Sequence, residues 1–146
     1  MSLELHPDFF CDSSDDLKAL SETATSILNS AYSTLRDPSA RANYMLKILN
    51  EGNRLDERSL PDGFLEEMFF LQESLDDLLE SNKNDELSKL LENLFKRRNN
   101  LILYYSVIFK KFDRCDNNSQ LLQQLQTNLN AERYLHRLIE RIPEKD

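Results

Sequence analysis

The feature that most constrains this chain is the spacing of its apolar residues, which recur every three or four positions along five segments. This spacing places apolar side chains on one face of a helix and is typical of amphipathic α-helices. The segments cover residues 15–36, 38–51, 62–81, 85–114 and 119–141, with ends set to within a few residues. Because the chain has only two glycines and four prolines, turn-rich β-structure is disfavoured. The sequence predicts an all-α fold.

Local signals mark where the first helices begin and end. Residues 13–16 place two serines before two aspartates, which supplies a capping hydroxyl and then carboxylates near the positive end of the helix dipole. Asp37 precedes a proline and is therefore biased away from helical geometry, whereas Pro38 is well tolerated in the first turn of the next helix. Residues 53–61 are polar, lack apolar periodicity and are predicted to form a linker.

The last three helices are long and joined by short connections, which predicts an antiparallel three-helix bundle. The predicted helix over residues 62–81 has seven carboxylates and no Lys or Arg, while the next helix carries basic residues from Lys89 to Lys111. Opposite charges favour these helices as neighbours, although an exposed pair contributes only about 0–1 kcal/mol. The predicted domains are residues 1–52, the linker 53–61 and the bundle 62–146.

Charge and hydropathy exclude several classes of partner. The chain has 18 Lys and Arg against 26 Asp and Glu, a net charge of −8. Because binding to phosphates requires a basic face, nucleic acid and anionic lipid are not expected as partners. No apolar run approaches the ~20 residues of a membrane span, and the N-terminus does not have the pattern of a signal peptide. We predict an intracellular protein.

The sequence has few candidates for catalytic residues or metal ligands. Cys11 and Cys115 have no CxxC-type spacing, and we expect both thiols to be reduced rather than joined in a disulfide. The sequence contains no metal-ligand motif, no glycine-rich phosphate loop and no nucleophile with a base at recognisable spacing. We therefore predict no catalytic residue, no metal site and no cofactor. Helices without such a site favour a protein-interaction module over an enzyme.

Four motifs stand in a fixed order along the chain. They are His6-Pro7-Asp8; Asn29-Ser30-Ala31-Tyr32-Ser33-Thr34-Leu35-Arg36-Asp37-Pro38; Arg41-Ala42-Asn43-Tyr44-Met45-Leu46; and Phe64-Leu65 followed by Glu73-Ser74-Leu75-Asp76. Together they resemble the HscB branch of the J-proteins, which are co-chaperones of iron–sulphur cluster assembly. In that family a His-Pro-Asp loop precedes a long helix that ends in Asn-x-Ala-Tyr/Trp-x-Thr-Leu, and a helical bundle follows. The resemblance covers almost the whole chain.

The resemblance implies two partners and no enzymatic activity of its own. His6, Pro7 and Asp8 would contact a DnaK/HscA-type chaperone and stimulate its ATPase, while the bundle would deliver the iron–sulphur scaffold protein as client. Such proteins occur in the bacterial cytoplasm and the mitochondrial matrix. The alternative for the tripeptide is an ordinary loop proline followed by an aspartate that caps a helix.

The sequence departs from the J-domain pattern in two respects. Only residues 1–5 precede the tripeptide, so we expect that the helix that should pack against residues 15–36 is missing, or else that another chain or the bundle covers this face. Phe9 and Phe10 stand where the family usually has Lys or Arg. We therefore expect a truncated J-domain and weak or absent stimulation of the chaperone ATPase. The alternative function is a structural helical module that forms a homodimer through the unpaired apolar face of helix 15–36.

The predicted client surface lies on the third helix, beside its core stripe. That stripe is formed by Phe64, Met68, Leu71, Leu75 and Leu78. At ~100° per residue, Leu65 and Phe69 fall roughly 90–130° from the stripe and Phe70 lies on its other flank. The resemblance places scaffold binding at Leu65 and Phe69, joined by Tyr134 from the last helix and by Glu73. The alternatives are that the apolar residues widen the core and that Glu73 is a solvated carboxylate.

Overall fold

The computed structural model describes residues 15–50, 54–81, 83–112 and 118–143, and within these ranges it contains five helices and no β-strand. The helices are α1 (Asp15–Arg36), α2 (Pro38–Leu49), α3 (Phe64–Glu80), α4 (Asn84–Phe112) and α5 (Ser119–Glu140). The prediction of an all-α fold is confirmed. The tripeptide His6-Pro7-Asp8 and both cysteines, Cys11 and Cys115, lie outside the described residues.

The chain divides into two compact units, one that ends at Tyr44 and one that begins at Met45. This boundary falls inside α2. The predicted domain bounds, with residues 1–52 before the linker 53–61 and the bundle 62–146 after it, stay a prediction. The two units are described separately.

In the first unit, the junction between α1 and α2 has the predicted form. Pro38 is the first residue of α2, and the backbone N–H of Ala40 donates to Asp37 Oδ1 at 2.6 Å, so that Asp37 caps this helix. The Arg41 side chain donates to the carbonyl oxygen of Leu35 at 3.0 Å and satisfies an acceptor at the end of α1. The two helices are thus separated by a single non-helical residue.

The apolar stripe of α1 is largely exposed. Leu20 and Ile27 are each 65% exposed, Leu35 is 58% exposed and Leu17 is 48% exposed. A helix with this pattern normally buries its apolar side chains against a neighbour. In the part of the chain that the structure describes, this stripe is left largely uncovered.

The second unit contains the three-helix bundle, in which α3 and α5 run in the same direction. Phe64 contacts Tyr134 near the start of α3, and about three turns later Asp76 forms a salt bridge with Arg141 just after α5. The short connection at residues 81–83 returns the chain, so α4 runs antiparallel to both neighbours. This arrangement is the predicted up-down-up bundle.

The core of this bundle takes apolar residues from all three helices. Its buried members are Phe64, Met68, Leu75, Leu87, Leu94, Ala131, Leu135, Leu138 and Ile142. The partly buried Leu71 and Leu78 pack against them, which confirms the predicted stripe of α3. The helix begins at Phe64 rather than at the predicted residue 62, because Gly63 has a φ of 71° and a left-handed residue cannot continue an α-helix.

Two consecutive arginines of α4 connect it to both neighbours. Arg97 donates to Glu67 Oε2 of α3 at 2.5 Å, and Arg98 Nε donates to Glu132 Oε1 of α5 at 2.6 Å. The first pair is largely exposed, whereas the side chain of Glu132 is only 4% exposed. Successive residues point ~100° apart on a helix, so adjacent positions can reach two different partners. The predicted charge pairing between α3 and α4 is present in the Arg97–Glu67 contact.

Candidate partner-binding surface

The outward face of α3 carries three large apolar side chains. Leu65, Phe69 and Phe70 are 58%, 61% and 64% exposed, although Phe64 and Met68 beside them in sequence are buried. Consecutive side chains of a helix point in different directions, so Leu65 points outward when Phe64 points into the core. The exposed residues therefore do not widen the core, and that alternative is wrong.

The three side chains form one continuous surface on α3. The rings of Phe69 and Phe70 meet edge to face, with centroids 6.1 Å apart and planes at 73°. Leu65 lines the same shallow depression as the two rings. Single exposed apolar residues are common on proteins, but a contiguous group of this size is typical of an interaction site.

Tyr134 of α5 extends this surface across to the neighbouring helix. Its ring contacts Phe64 edge to face at 6.1 Å, and the tyrosine remains 40% exposed. Leu65 lines a second cleft together with Tyr134, so it belongs to the walls of both depressions. The structure thus brings together four of the five residues predicted for client binding. We name Leu65, Phe69, Phe70 and Tyr134 the α3–α5 patch.

Glu73, the fifth predicted residue, lies on α3 one turn beyond Phe69 and is exposed to solvent. Among the described residues none forms a hydrogen bond or salt bridge with its carboxylate, which fits either a solvated carboxylate or a group at the edge of a binding surface. The acidic side of the patch also includes Glu66, which lines the depression with Phe69 and Phe70.

A segment before α3 completes the cleft beside Tyr134. Residues 54–61, which we name the strap, lie along α5 and are held by three of its polar side chains. These contacts are the Gln123 amide with the backbone N–H and C=O of Asp56 at 2.9 and 3.2 Å, the Thr127 hydroxyl with the Ser59 hydroxyl at 2.8 Å, and the Asn130 Nδ2 with the carbonyl oxygens of Glu57 and Ser59 at 2.9 Å each.

Asn130 forms the largest number of hydrogen bonds among the three α5 side chains that hold the strap. It is 8% exposed. Its Oδ1 accepts hydrogen bonds from Gln126 and Arg133, and its Nδ2 donates hydrogen bonds to the carbonyl oxygens of the strap. A buried amide with its hydrogen-bonding capacity filled fixes the backbone it binds. The strap therefore has a defined course, and it carries Glu57 and Arg58 into the cleft that Leu65 and Tyr134 line.

The course of the strap and the basic residues of this cleft were not predicted from the sequence. The segment was predicted to be a linker because it is polar and aperiodic, and its hydrogen bonds connect residues 67 to 73 positions apart. One signal was present: Gln123, Thr127 and Asn130 recur at intervals of four and three, which marks a polar row on a single helix face. Such a row predicts a hydrogen-bonded neighbour but does not identify it.

An exposed apolar patch on a rigid helical bundle is typical of protein-interaction modules. In the portion of the chain that the structure describes, no three or more His, Cys, Asp or Glu residues are grouped so that they could hold a metal ion. Likewise, none of the helices in the described ranges has the length and apolarity needed to cross a membrane.

Comparison with known proteins identifies the family. The co-chaperone protein HscB of Proteus mirabilis (strain HI4320) is 30% identical over 147 residues, which covers 97% of this chain and 79% of the relative. HscB homologs of Aliivibrio salmonicida (strain LFI1238) and Shewanella woodyi (strain ATCC 51908 / MS32) are 38% and 32% identical over 77 and 82 residues, less than half of each relative. No family model matches. On the strength of the first match, the chain belongs to the HscB co-chaperone family.

Proposed function

We propose that this protein is a co-chaperone of iron–sulphur cluster assembly that binds the iron–sulphur scaffold protein through the α3–α5 patch. The single observation that supports this most directly is the exposure of Leu65, Phe69 and Phe70 on a helix whose opposite face is fully used in the core. These side chains are not needed to close the bundle, so their apolar area is available to a partner. The names of the relatives support the co-chaperone role.

The action we propose is a coupling of two proteins rather than chemistry. The bundle holds the scaffold protein while His6, Pro7 and Asp8 contact a DnaK/HscA-type chaperone and stimulate its ATPase. Engaging both partners at once raises their effective concentration for each other. The chaperone contact rests on the sequence alone, because the tripeptide lies outside the described residues. We place this activity in the bacterial cytoplasm, since the relatives are bacterial.

Replacing Leu65 and Phe69 with alanine tests the scaffold contact. Central apolar residues of an interface each contribute about 1–2 kcal/mol, so we expect the double variant to bind the scaffold protein roughly 30- to 1000-fold more weakly. Calorimetric titration of the purified proteins measures this change. Circular dichroism should show unaltered helix content, because both side chains are exposed.

A matched control is available on α4. Leu103 and Val107 are also exposed apolar residues one turn apart, at 66% and 42%. The Leu103→Ala/Val107→Ala variant removes a comparable apolar area from a different helix and should bind the scaffold protein within about twofold of the unmodified protein. Equal affinity of both double variants would exclude the α3–α5 patch as the binding site.

A second function is favoured by the exposed stripe of α1. Leu20, Ile27 and Leu35 are each more than half exposed along one helix face, and a second copy of the same helix would cover them symmetrically. In this alternative the protein is a structural helical module that forms homodimers and acts on no chaperone.

Sedimentation velocity distinguishes the two functions. Self-association through α1 predicts a dimer at micromolar concentration and its conversion to monomer in the Leu20→Glu/Ile27→Glu variant, since burying two carboxylates opposite each other is unfavourable. A monomer at all micromolar concentrations would exclude the homodimer and leave the co-chaperone function unaffected.

A further inference from the structure

The cleft beside Tyr134 has a basic wall that neither the family membership nor the apolar patch explains. Its lining includes the apolar Leu65 and the ring of Tyr134, three arginines and one carboxylate; the charged residues are Arg58, Arg133, Arg137 and Glu57. All three arginines are exposed. In a chain with a net charge of −8, three guanidinium groups around one small cleft are a local reversal of the overall charge.

These arginines come from two elements, the strap and α5, that are joined by hydrogen bonds. Arg58 is carried by the strap, which Gln123 and Asn130 hold by backbone hydrogen bonds. Arg137 lies one turn after Arg133 on α5, and its guanidinium stands over the Tyr134 ring at 6.0 Å from the centroid. Their positions relative to Tyr134 are therefore set before any partner arrives.

Within the described ranges, no carboxylate forms a salt bridge with Arg58 or Arg137. The other basic residues that connect helices do have such partners: Arg97 binds Glu67, and Arg98 binds Glu132. A guanidinium group presents planar donors that suit a carboxylate. The two cleft arginines thus retain their capacity for an external acidic group beside the apolar patch.

We propose that this cleft receives a carboxylate side chain of the docked scaffold protein, held by Arg58 and Arg137 while apolar residues of the same partner cover Leu65 and Tyr134. This inference rests on the proposed function and specifies the chemistry of its partner. The partner surface must combine an apolar protrusion with an Asp or Glu on the side that faces α5. An acidic group there favours one orientation of docking, because the α3 face of the patch carries the carboxylate of Glu66 beside Phe69 and Phe70 and would repel it.

Charge reversal of the cleft tests this proposal. We expect Arg58→Glu/Arg137→Glu to weaken binding of the cluster-free scaffold protein roughly 10- to 50-fold in low salt, because two favourable pairs become repulsive. The matched control is Lys89→Glu/Lys96→Glu, which changes the net charge by the same amount at exposed positions of α4. The control should remain within about twofold of the unmodified protein.

Salt dependence separates a charge contact from mere support of the Tyr134 ring. Affinity of the unmodified protein should fall as NaCl rises from about 50 mM to 500 mM, since screening weakens exposed pairs. The affinity of Arg137→Gln should be lower at 50 mM and should fall less steeply with salt, because only the Arg58 contact with the carboxylate remains to be screened. If Arg137 only supports the ring, the loss will instead be equal at every salt concentration, and the proposal is overturned.

The Leu65→Ala/Phe69→Ala variant in the same titrations keeps the two hypotheses distinguishable. Loss of affinity in that variant together with normal binding by Arg58→Glu/Arg137→Glu refutes the carboxylate contact but leaves the scaffold site in place. Normal binding by the Leu65→Ala/Phe69→Ala variant refutes the proposed function and this inference with it. Circular dichroism of each variant shows whether the bundle is still folded.

Discussion

Glu132→Ala is expected to lower the free energy of unfolding by about 3 kcal/mol, because the substitution leaves Arg98 without its partner in a mostly buried position. Glu132 is 3% exposed and its Oε1 accepts from Arg98 Nε at 2.6 Å. Removing one member of a buried ion pair typically costs about 3–5 kcal/mol, and the 21% exposure of the Arg98 side chain favours the lower end of that range. Urea unfolding followed by circular dichroism at neutral pH measures the change.

The neighbouring pair supplies a control on the same helix. Arg97 and Glu67 also join two helices at 2.5 Å, but their side chains are 31% and 49% exposed. Glu67→Ala is therefore expected to cost only about 0–1 kcal/mol, since solvent stabilises the remaining guanidinium. Equal destabilisation by the two substitutions would show that burial does not determine the contribution of these ion pairs.

A double substitution further tests the source of the expected loss. The Arg98→Met/Glu132→Leu variant removes both charges and retains apolar volume, so it should be much closer to the unmodified protein than Glu132→Ala. The reason is that most of the cost of the single substitution comes from the desolvated charge that remains, not from the attraction that is lost.

The positions of the helices and the residues on their outward faces were predictable from the sequence, because both follow from the spacing of apolar residues. Apolar spacing located all five helices, and the Asp37-Pro38 pair located the break between α1 and α2. Helix geometry also separated Leu65 and Phe69 from the core stripe, because the angle between residues on a helix is fixed by local structure. Each of these signals acts over fewer than five residues.

The cleft beside Tyr134 depends on contacts that leave no local pattern. Arg58 and Arg137 are distant in sequence and meet at one site only because Asn130 binds the strap. Polar composition indicated a linker over residues 53–61, although Asp56, Glu57 and Ser59 have hydrogen-bonded partners on α5. Composition does not distinguish a polar segment that is solvated from one whose polar groups bind another helix.

Leu75→Ala is expected to destabilise the bundle by about 3 kcal/mol while leaving the α3–α5 patch intact. Leu75 is 0% exposed and lies in the core of the bundle, where leucine truncation costs about 2–5 kcal/mol from lost burial and the cavity that remains. Its side chain points away from the exposed face of α3. Binding of the scaffold protein, measured well below the unfolding midpoint, should change less than about twofold.

Phe69→Ala on the same helix is expected to have the opposite profile. The side chain is 61% exposed, so its removal should alter the free energy of unfolding by no more than about 0.5 kcal/mol. Affinity for the scaffold protein should nevertheless fall roughly tenfold or more, because the ring contributes apolar area only when a partner covers it. Unfolding and titration curves of the two variants should thus show that the buried face of α3 determines the stability of the bundle, whereas its exposed face determines binding of the scaffold protein. Comparable destabilisation by Phe69→Ala and Leu75→Ala would instead show that the exposed ring contributes to stability as much as a buried core residue does.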